Sequence, residues 1–324
     1  MITKIKTNTH EEWLEERNKS LGGSDVGAVL GMNEYSSPYT IWAEKTGKLP
    51  PFEGNEWTKL GNDLEFYVAQ RFTEASGLKV INDTATWRND KYPHLHANID
   101  RRVVGMKAGV ECKLTSEMNA KKYKDGEFPD RFYAQCVEYL CVTEFERWFL
   151  AVLIYGKGIK IYQMTRIADD VKPEWCEASV YVSDGEIEAL AKTTADFWNN
   201  HVLTDTPPMA DGSDSTSETL KTIYSESNGE SVDLMAFESE LQQYKHLASM
   251  EEDYKKLKDE CANKIKAYMG EASKGESNKF KVSWSSSVRN TFDHKAFAKD
   301  NPGIDLSAYY KSTTTRRFTV SSLE

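Results

Sequence analysis

At 324 residues the chain is long enough to bury a full core and to hold one large or two modest domains. A formal net charge of −10 weighs against a protein that coats nucleic acid indiscriminately, but not against one that passes it through a locally basic channel. Five scattered cysteines with no CxxC pair argue against a structural zinc or an iron–sulfur cluster and suit reduced, cytoplasmic thiols; with no apolar run of membrane-spanning length and no basic-then-apolar leader, a soluble, non-exported protein is expected.

Asn8 and Thr9 are expected to cap a helix from about His10 to Asn18. Glu11 and Glu12 fall in its first turn and Arg17 near its end, the charge order a helix dipole favours, which accounts for Arg17 without any function. The run from Leu21 to Gly31 reads as a glycine turn opening a short helix. There the backbone N–H groups and the Ser24 hydroxyl suit an anion, or Ser24 or Asp25 simply caps the helix. Ser37 to Gly47 is another short helix stopped by glycine. A longer one from Glu56 to Ser76 places Leu60, Leu64, Val68 and Phe72 at fourfold spacing, with Glu65 at the border of the stripe. Glu65 is either a solvated acid or, facing the strands that follow, part of a metal site.

Those strands are the runs His96–Val104 and Ala108–Leu114, joined by Gly105-Met106-Lys107 as in a hairpin. Alternation puts Glu111 and Lys113 on one face and Cys112 on the other, and pairing across the hairpin brings Asp100 towards Glu111. Two carboxylates held together in a partly buried site repel each other unless a cation neutralises them, and Mg²⁺ takes oxygen ligands. Lys113 would then orient or deprotonate a water, or meet charge developing on a phosphate. The same set also reads as a solvated, salt-bridged strand face.

Downstream, Pro129 to Val142 is expected to be helical, with Gln135 either a hydrogen-bonder for water or phosphate or a surface residue. Strands at Arg147–Tyr155 and Ile159–Met164 and a helix near Asp184–Val202 complete an α/β core with a central mixed sheet flanked by helices. The Pro-, Ser- and Asp-rich run from Thr204 to Thr216 reads as linker, giving a first domain at 1–205, a linker at 206–232 and a C-terminal module at 233–324. That module combines a long amphipathic helix, with Leu241, Tyr244, Leu247, Tyr254 and Leu257 as its stripe, and strand-like runs at Phe280–Trp284 and Arg317–Val320. Between Lys274 and Arg317 nine basic residues face four acidic ones, so the tail reads equally as a DNA-binding segment or as a small folded module.

Six separated segments occur in a fixed order: Trp13-Leu14-x-x-Arg17, Leu21-Gly22-Gly23-Ser24-Asp25, Gly61-x-x-x-Glu65, Asn98-Ile99-Asp100-Arg101, Gly109-Val110-Glu111-Cys112-Lys113 and Tyr133-Ala134-Gln135. Through them the first 205 or so positions resemble the YqaJ-like viral recombinase family, relatives of phage lambda exonuclease within the PD-(D/E)xK nucleases. The resemblance implies a restriction-endonuclease-like core. It implies that Asp100, Glu111 and the Cys112 carbonyl bind Mg²⁺, with Mn²⁺ as a possible substitute, and that Glu65 reaches a metal or its water. Lys113 and Gln135 would handle the nucleophile, and Arg17 and Ser24 would hold a terminal 5′-phosphate. The implied activity is 5′-to-3′ digestion of one strand from double-stranded DNA ends, leaving 3′ tails for a single-strand annealing protein, by a ring-shaped homotrimer. Ile99 stands where the superfamily has its proline, and Val137 where many relatives have a second glutamine. The alternatives are a related endonuclease or an exonuclease of other polarity, and a non-catalytic scaffold that binds DNA ends.

Overall fold

The computed structural model describes residues 1–50, 54–301, 303–311 and 314–322. It forms two compact units, Met1–Tyr224 and Ser225–Glu324.

The first unit opens with β1 (Ile2–Ile5), α1 (His10–Asn18), β2 (Leu21–Gly22), α2 (Gly23–Val29), α3 (Pro38–Lys45) and α4 (Glu56–Ser76). α1, α3 and α4 start where side chains satisfy orphan amides. Thr9 accepts from the Glu12 N–H, Ser37 from the Thr40 N–H ahead of Pro38, and Asn55 from Trp57 and Thr58. Gly77, at φ +73°, then ends α4 in the left-handed region that suits glycine.

Next come β3 (Val80–Asn82), β4 (Thr86–Asn89), β5 (Leu95–Asn98), β6 (Arg101–Val103), β7 (Ala108–Thr115), α5 (Asp130–Thr143), β8 (Arg147–Ile154), β9 (Gly158–Thr165), β10 (Ala178–Tyr181), α6 (Asp184–Phe197) and α7 (Asp214–Ile223). The central sheet has six strands in the order β10-β9-β8-β7-β6-β3, with β7 parallel to β8 and antiparallel to β6. A second sheet, β1-β4-β5-β2, lies beside it. Along β7, Val110 and Cys112 face a cluster with Val68, Ala69 and Phe72 of α4, and the alternate positions face the side of α5. The larger cluster joins α2, α3, α5 and α6 to β8. No helix among the described residues is long and apolar enough to cross a membrane.

The expected hairpin is split. Its first arm breaks at Ile99-Asp100, so that β5 belongs to the second sheet and only β6 pairs with β7, Arg101 opposite Val110 and Arg102 opposite Gly109. The stretch read as linker holds a docked helix instead. Thr216 Oγ1 donates to Ser37 Oγ (2.8 Å), and Thr40 Oγ1 meets Ser215 Oγ (2.7 Å) and Thr219 Oγ1 (2.9 Å) against α3. Hydroxyls that lower a segment's hydropathy here form the packing contact itself.

The second unit comprises α8 (Glu238–Met269), a hairpin of β11 (Lys274–Glu276) and β12 (Lys281–Ser283), and α9 (His294–Asp300). Arg317–Val320 forms no strand. Phe318 sets its ring edge-on to Tyr244 of α8 at 5.4 Å.

Two close contacts brace the first unit around β7 and α2. Gly109 of β7 lies under the indole of Trp148, where an added Cβ would stand 2.3 Å from the ring. Asp25 of α2 and Lys45 of α3 form a buried ion pair at 2.8 Å, with side chains 6% and 4% exposed. Burial alone would raise the Asp25 carboxyl, but Lys45, Arg17 and the Gly22 N–H together hold it down at about 2. Gly109→Ala is expected to cost about 1–3 kcal/mol by overpacking against Trp148, read as a lowered midpoint in urea unfolding. Asp25→Ala leaves Lys45 buried without its partner and is expected to cost about 3 kcal/mol. Because the folded value of Asp25 lies below its ordinary 3.8, its contribution is whole above that pH and is lost as the pH falls towards about 2. Acid titration followed by tryptophan fluorescence should therefore show a shallower loss of stability over that window in the variant.

Candidate active site at the β6–β7 corner

The corner is built by the break before β6. Asp100 leaves the strand path there, and its Oδ2 accepts the Cys112 backbone N–H at 2.7 Å, which ties it beside β7. Glu111, 2% exposed, and Lys113 project together from β7, with Lys113 Nζ 2.5 Å from Glu111 Oε1. From α5, Gln135 Nε2 donates to the same Glu111 oxygen (2.9 Å) and contacts Tyr139 Oη (2.7 Å). Glu111 Oε2 is buried with no hydrogen-bond partner.

Electrostatics follow from that crowding. Burial, and then repulsion from Glu111, raises the Asp100 carboxyl well above its ordinary range, and the Lys113 cation only partly offsets this. Burial pulls the Lys113 ammonium down, but the Glu111 and Asp100 carboxylates outweigh it and hold the group above its ordinary value. Lys113 is therefore a cation at neutral pH, suited to orienting an oxygen or stabilising negative charge.

Among the described residues, no three His, Cys, Asp or Glu side chains are gathered as a ready-made metal cage. The donors present nevertheless fit a hard divalent cation. Two mutually repelling carboxylates offer oxygen, one oxygen is buried without a partner, and Mg²⁺ completes its shell with water. Glu65 comes from α4, on the opposite face of the sheet, and its Oε1 accepts from Arg101 Nη1 at 2.5 Å. The same nitrogen donates to the Asp100 carbonyl (2.7 Å), so Glu65 joins the corner through Arg101.

A second group lies at the start of α2. Arg17 Nη2 donates to Ser24 Oγ (3.0 Å), and its guanidinium lies over Trp13. Asp25 Oδ2 accepts the Gly22 N–H (3.0 Å), so Asp25 caps the helix, while Ser24 turns to Arg17. Arg17, Lys45 and Lys48 line a recess of about 500 Å³ together with Asp25 and Glu44. The two groups are adjacent because glycine permits it. A Cβ on Gly23 would lie 2.8 Å from Tyr139 Cε1 and 2.9 Å from Gln135 Cγ, so α2 packs flush on α5 and Ser24 follows one residue later.

Several residues of this region escaped the sequence. Lys45 looks like a dipole-matching lysine at a helix end, yet it is buried on Asp25. Tyr139 reads as part of an apolar face but carries the hydroxyl that meets Gln135. Glu138 is wholly buried with neither oxygen partnered, and burial raises its carboxyl well above the ordinary range, with Asp25 and Glu111 adding to the effect. Arg88 grips Glu16 (2.6 Å) and Ser20 Oγ (2.6 Å), and Ser20 meets His96 Nδ1 (2.7 Å), pinning the end of α1 to the second sheet. Burial, then the nearby Lys45 charge, lowers His96 to about 3. Only the pairing of these residues in space marks them, and a single sequence does not display it. Ile99 and Val137, the two departures from the family pattern, are both core residues.

The YqaJ-like viral recombinase domain, as a family model, matches residues 12–146. The uncharacterised protein YqaJ of Bacillus subtilis (strain 168) is 33% identical over 328 residues, spanning 100% of this chain and 98% of the relative. Among solved structures, an alkaline exonuclease from Laribacter hongkongensis aligns with a TM-score of 0.46 at 13% identity, over 60% of this chain and 94% of that one. A phage-related exonuclease from Haemophilus somnus 129PT aligns at 0.40 and 13% identity, over 57% of this chain and 96% of that one. With a relative alike over its whole length and the domain matched across the β6–β7 corner, the chain belongs to the YqaJ-like viral recombinase family.

Proposed function

We propose that the protein is a Mg²⁺-dependent exonuclease that digests one strand of duplex DNA from its 5′ end and leaves a 3′ single-stranded tail for a single-strand annealing protein. The assembly proposed with this activity is the ring-shaped homotrimer that the sequence resemblance implies. The observation that carries the reading is the seating of Gly23 against Gln135 and Tyr139. It sets an Arg–Ser anion group beside a corner of two acids, a lysine and a glutamine.

In this reading Asp100, Glu111 and the Cys112 carbonyl hold the cation, with Glu65 steadying the corner through Arg101. When bound, Mg²⁺ supplies Lewis acidity to the scissile phosphate and its attacking water. Lys113 Nζ presents positive charge where negative charge grows on the phosphate, and its hold on Glu111 fixes its direction. Gln135 Nε2 locks Glu111 Oε1, which leaves Oε2 unspent. Arg17 and the Ser24 hydroxyl take the terminal 5′-phosphate, which sets the end from which digestion starts.

A second reading has one specific observation behind it: Arg17 already lies 3.7 Å from Asp25, so Arg17 and Ser24 also serve as a purely structural bracket. A nuclease of other polarity would then remain.

Glu111→Gln and Lys113→Ala should each cut digestion of end-labelled linear duplex in Mg²⁺ by about a hundredfold or more, with an unchanged circular dichroism spectrum. Full activity in either variant would sink the assignment. Wild-type protein should prefer 5′-phosphorylated over 5′-hydroxyl duplex ends, and Arg17→Ala should erase that preference. A wild-type enzyme indifferent to the end group would favour the second reading.

A further inference from the structure

The second unit carries a feature that the nuclease reading does not use. α8 runs for 32 residues, about 48 Å, and not one of them is buried. An isolated helix is marginal in water, and its stability in proteins comes mostly from packing an apolar face. That face exists here. From Leu247 the apolar residues step by three and four through Met250, Tyr254 and Leu257 to Cys261, and Tyr268 follows seven residues on, which places Leu247, Tyr254, Cys261 and Tyr268 at a positions and Met250 and Leu257 at d. Tyr254 is 65% exposed and Leu257 58%, so nothing among the described residues covers the middle of the seam. Lys264 interrupts the last d position, and its ammonium turns back to Glu260 on its own helix.

We propose that α8 is a self-assembly helix that packs, parallel and in register, against α8 of other copies of this chain. The charges flanking the seam select both the occupant and its direction. Asp253 stands at a g position, Lys258 at the following e position and Glu260 at the next g. In a parallel in-register pair, Asp253 of each copy meets the Lys258 of the other, so the same attraction forms twice. An antiparallel pair that sets Tyr254 against Leu257 and Cys261 against Met250 brings Asp253 against Glu260 twice, a repulsion that cancels the attraction of Lys258 for Glu251 in the same register, whereas the parallel register carries the attraction without that repulsion. The parallel arrangement also sets Cys261 against its own counterpart, whereas the antiparallel one separates them.

Cys261 is the one exposed cysteine; Cys112, Cys136, Cys141 and Cys176 are buried. Mild copper-catalysed oxidation of the full-length protein should therefore give a covalent dimer on a non-reducing gel, reversed by reductant and lost in Cys261→Ser. In the Cys261→Ser background, Met250→Cys on the seam should restore the dimer and Lys256→Cys on the outer face should not. Leu257→Asp in the otherwise native chain should abolish cross-linking while the helical circular dichroism signal is kept. The proposal is overturned if Cys261 yields no dimer, or if Lys256→Cys cross-links as well as Met250→Cys. It is also overturned if a dimer forms only when Met250→Cys, Cys261→Ser chains are mixed with chains that keep Cys261, which is the antiparallel result. Because the readout is a covalent bond and not DNA digestion, its failure is separable from failure of the nuclease reading.

Discussion

Asp100 and Glu111 are held close enough to repel, and the design of the first unit follows from keeping them there. Like charges in a buried corner drift apart or take up protons unless the backbone fixes them. Here the fixing comes from strand pairing and a backbone hydrogen bond. β7 is paired with β8 along its whole length, Glu111 opposite Leu150, and with β6 at Gly109 and Val110, which fixes Glu111 in register, and Asp100 is tied to the same strand by the Cys112 N–H. The break at Ile99-Asp100 aims that side chain at β7 while handing β5 to a different sheet. Around this pair every contact is a donor: Lys113 and Gln135 on Glu111, and Arg101 on the Asp100 carbonyl. Glu111 Oε2 stays unspent, so the corner is not a finished salt bridge, and in the proposed reading this is the oxygen left for a hard cation.

The close contact of α2 and α5 gives that corner a neighbour. Helices with ordinary side chains at the contact pack with their axes about 8–10 Å apart. Gly23 removes the side chain on one of the two and lets backbone meet Gln135 and Tyr139 directly. Gln135 thus touches both the acid corner and the turn that bears Ser24. Glu138, buried on the same helix, feels the charges of both Asp25 and Glu111, which marks how little polar medium separates the two groups. Low dielectric strengthens whatever fields the site directs at a phosphate, and it also makes an unpaired charge costly there.

The parts of this site that obey a short-range rule were legible in the sequence. Strand alternation put Glu111 with Lys113 and apart from Cys112, and the α4 side of β7 indeed takes Cys112. The cap at Thr9 follows from a side chain adjacent to the amide it serves, and the end of α4 near Ser76 from the left-handed Gly77 beside it. Features set by partners distant in sequence were not legible. The hairpin reading missed the break at Asp100, because only β4 and β2, arriving from elsewhere, draw β5 into the second sheet. The fourfold spacing along α4 does not say which turns are covered: Leu60 is exposed while Val68 and Phe72 are buried, since the sheet underlies only the later turns. The stretch after Thr204 looked like linker by composition, because hydropathy does not register a helix that docks through hydroxyls.

The recess beside α2 shows how one acid can divide two cations between different tasks. Asp25 Oδ2 is committed to Lys45 at 2.8 Å and to the Gly22 N–H at 3.0 Å. Its other oxygen has only looser neighbours, Ser24 Oγ at 3.4 Å and Arg17 at 3.7 Å. Lys45 is 4% exposed, whereas Arg17 is 36% exposed, so the lysine offsets the buried acid and the guanidinium faces outward. An ammonium spent in this way holds α2 against α3 and has little left for a ligand. A guanidinium carries five donors in a rigid fork, and the bond to Ser24 leaves most of them open to an oxyanion. Asp25 then orients Arg17 without neutralising it, and phosphate recognition in the proposed reading rests on Arg17 and Ser24, with Lys45 as the strut behind them.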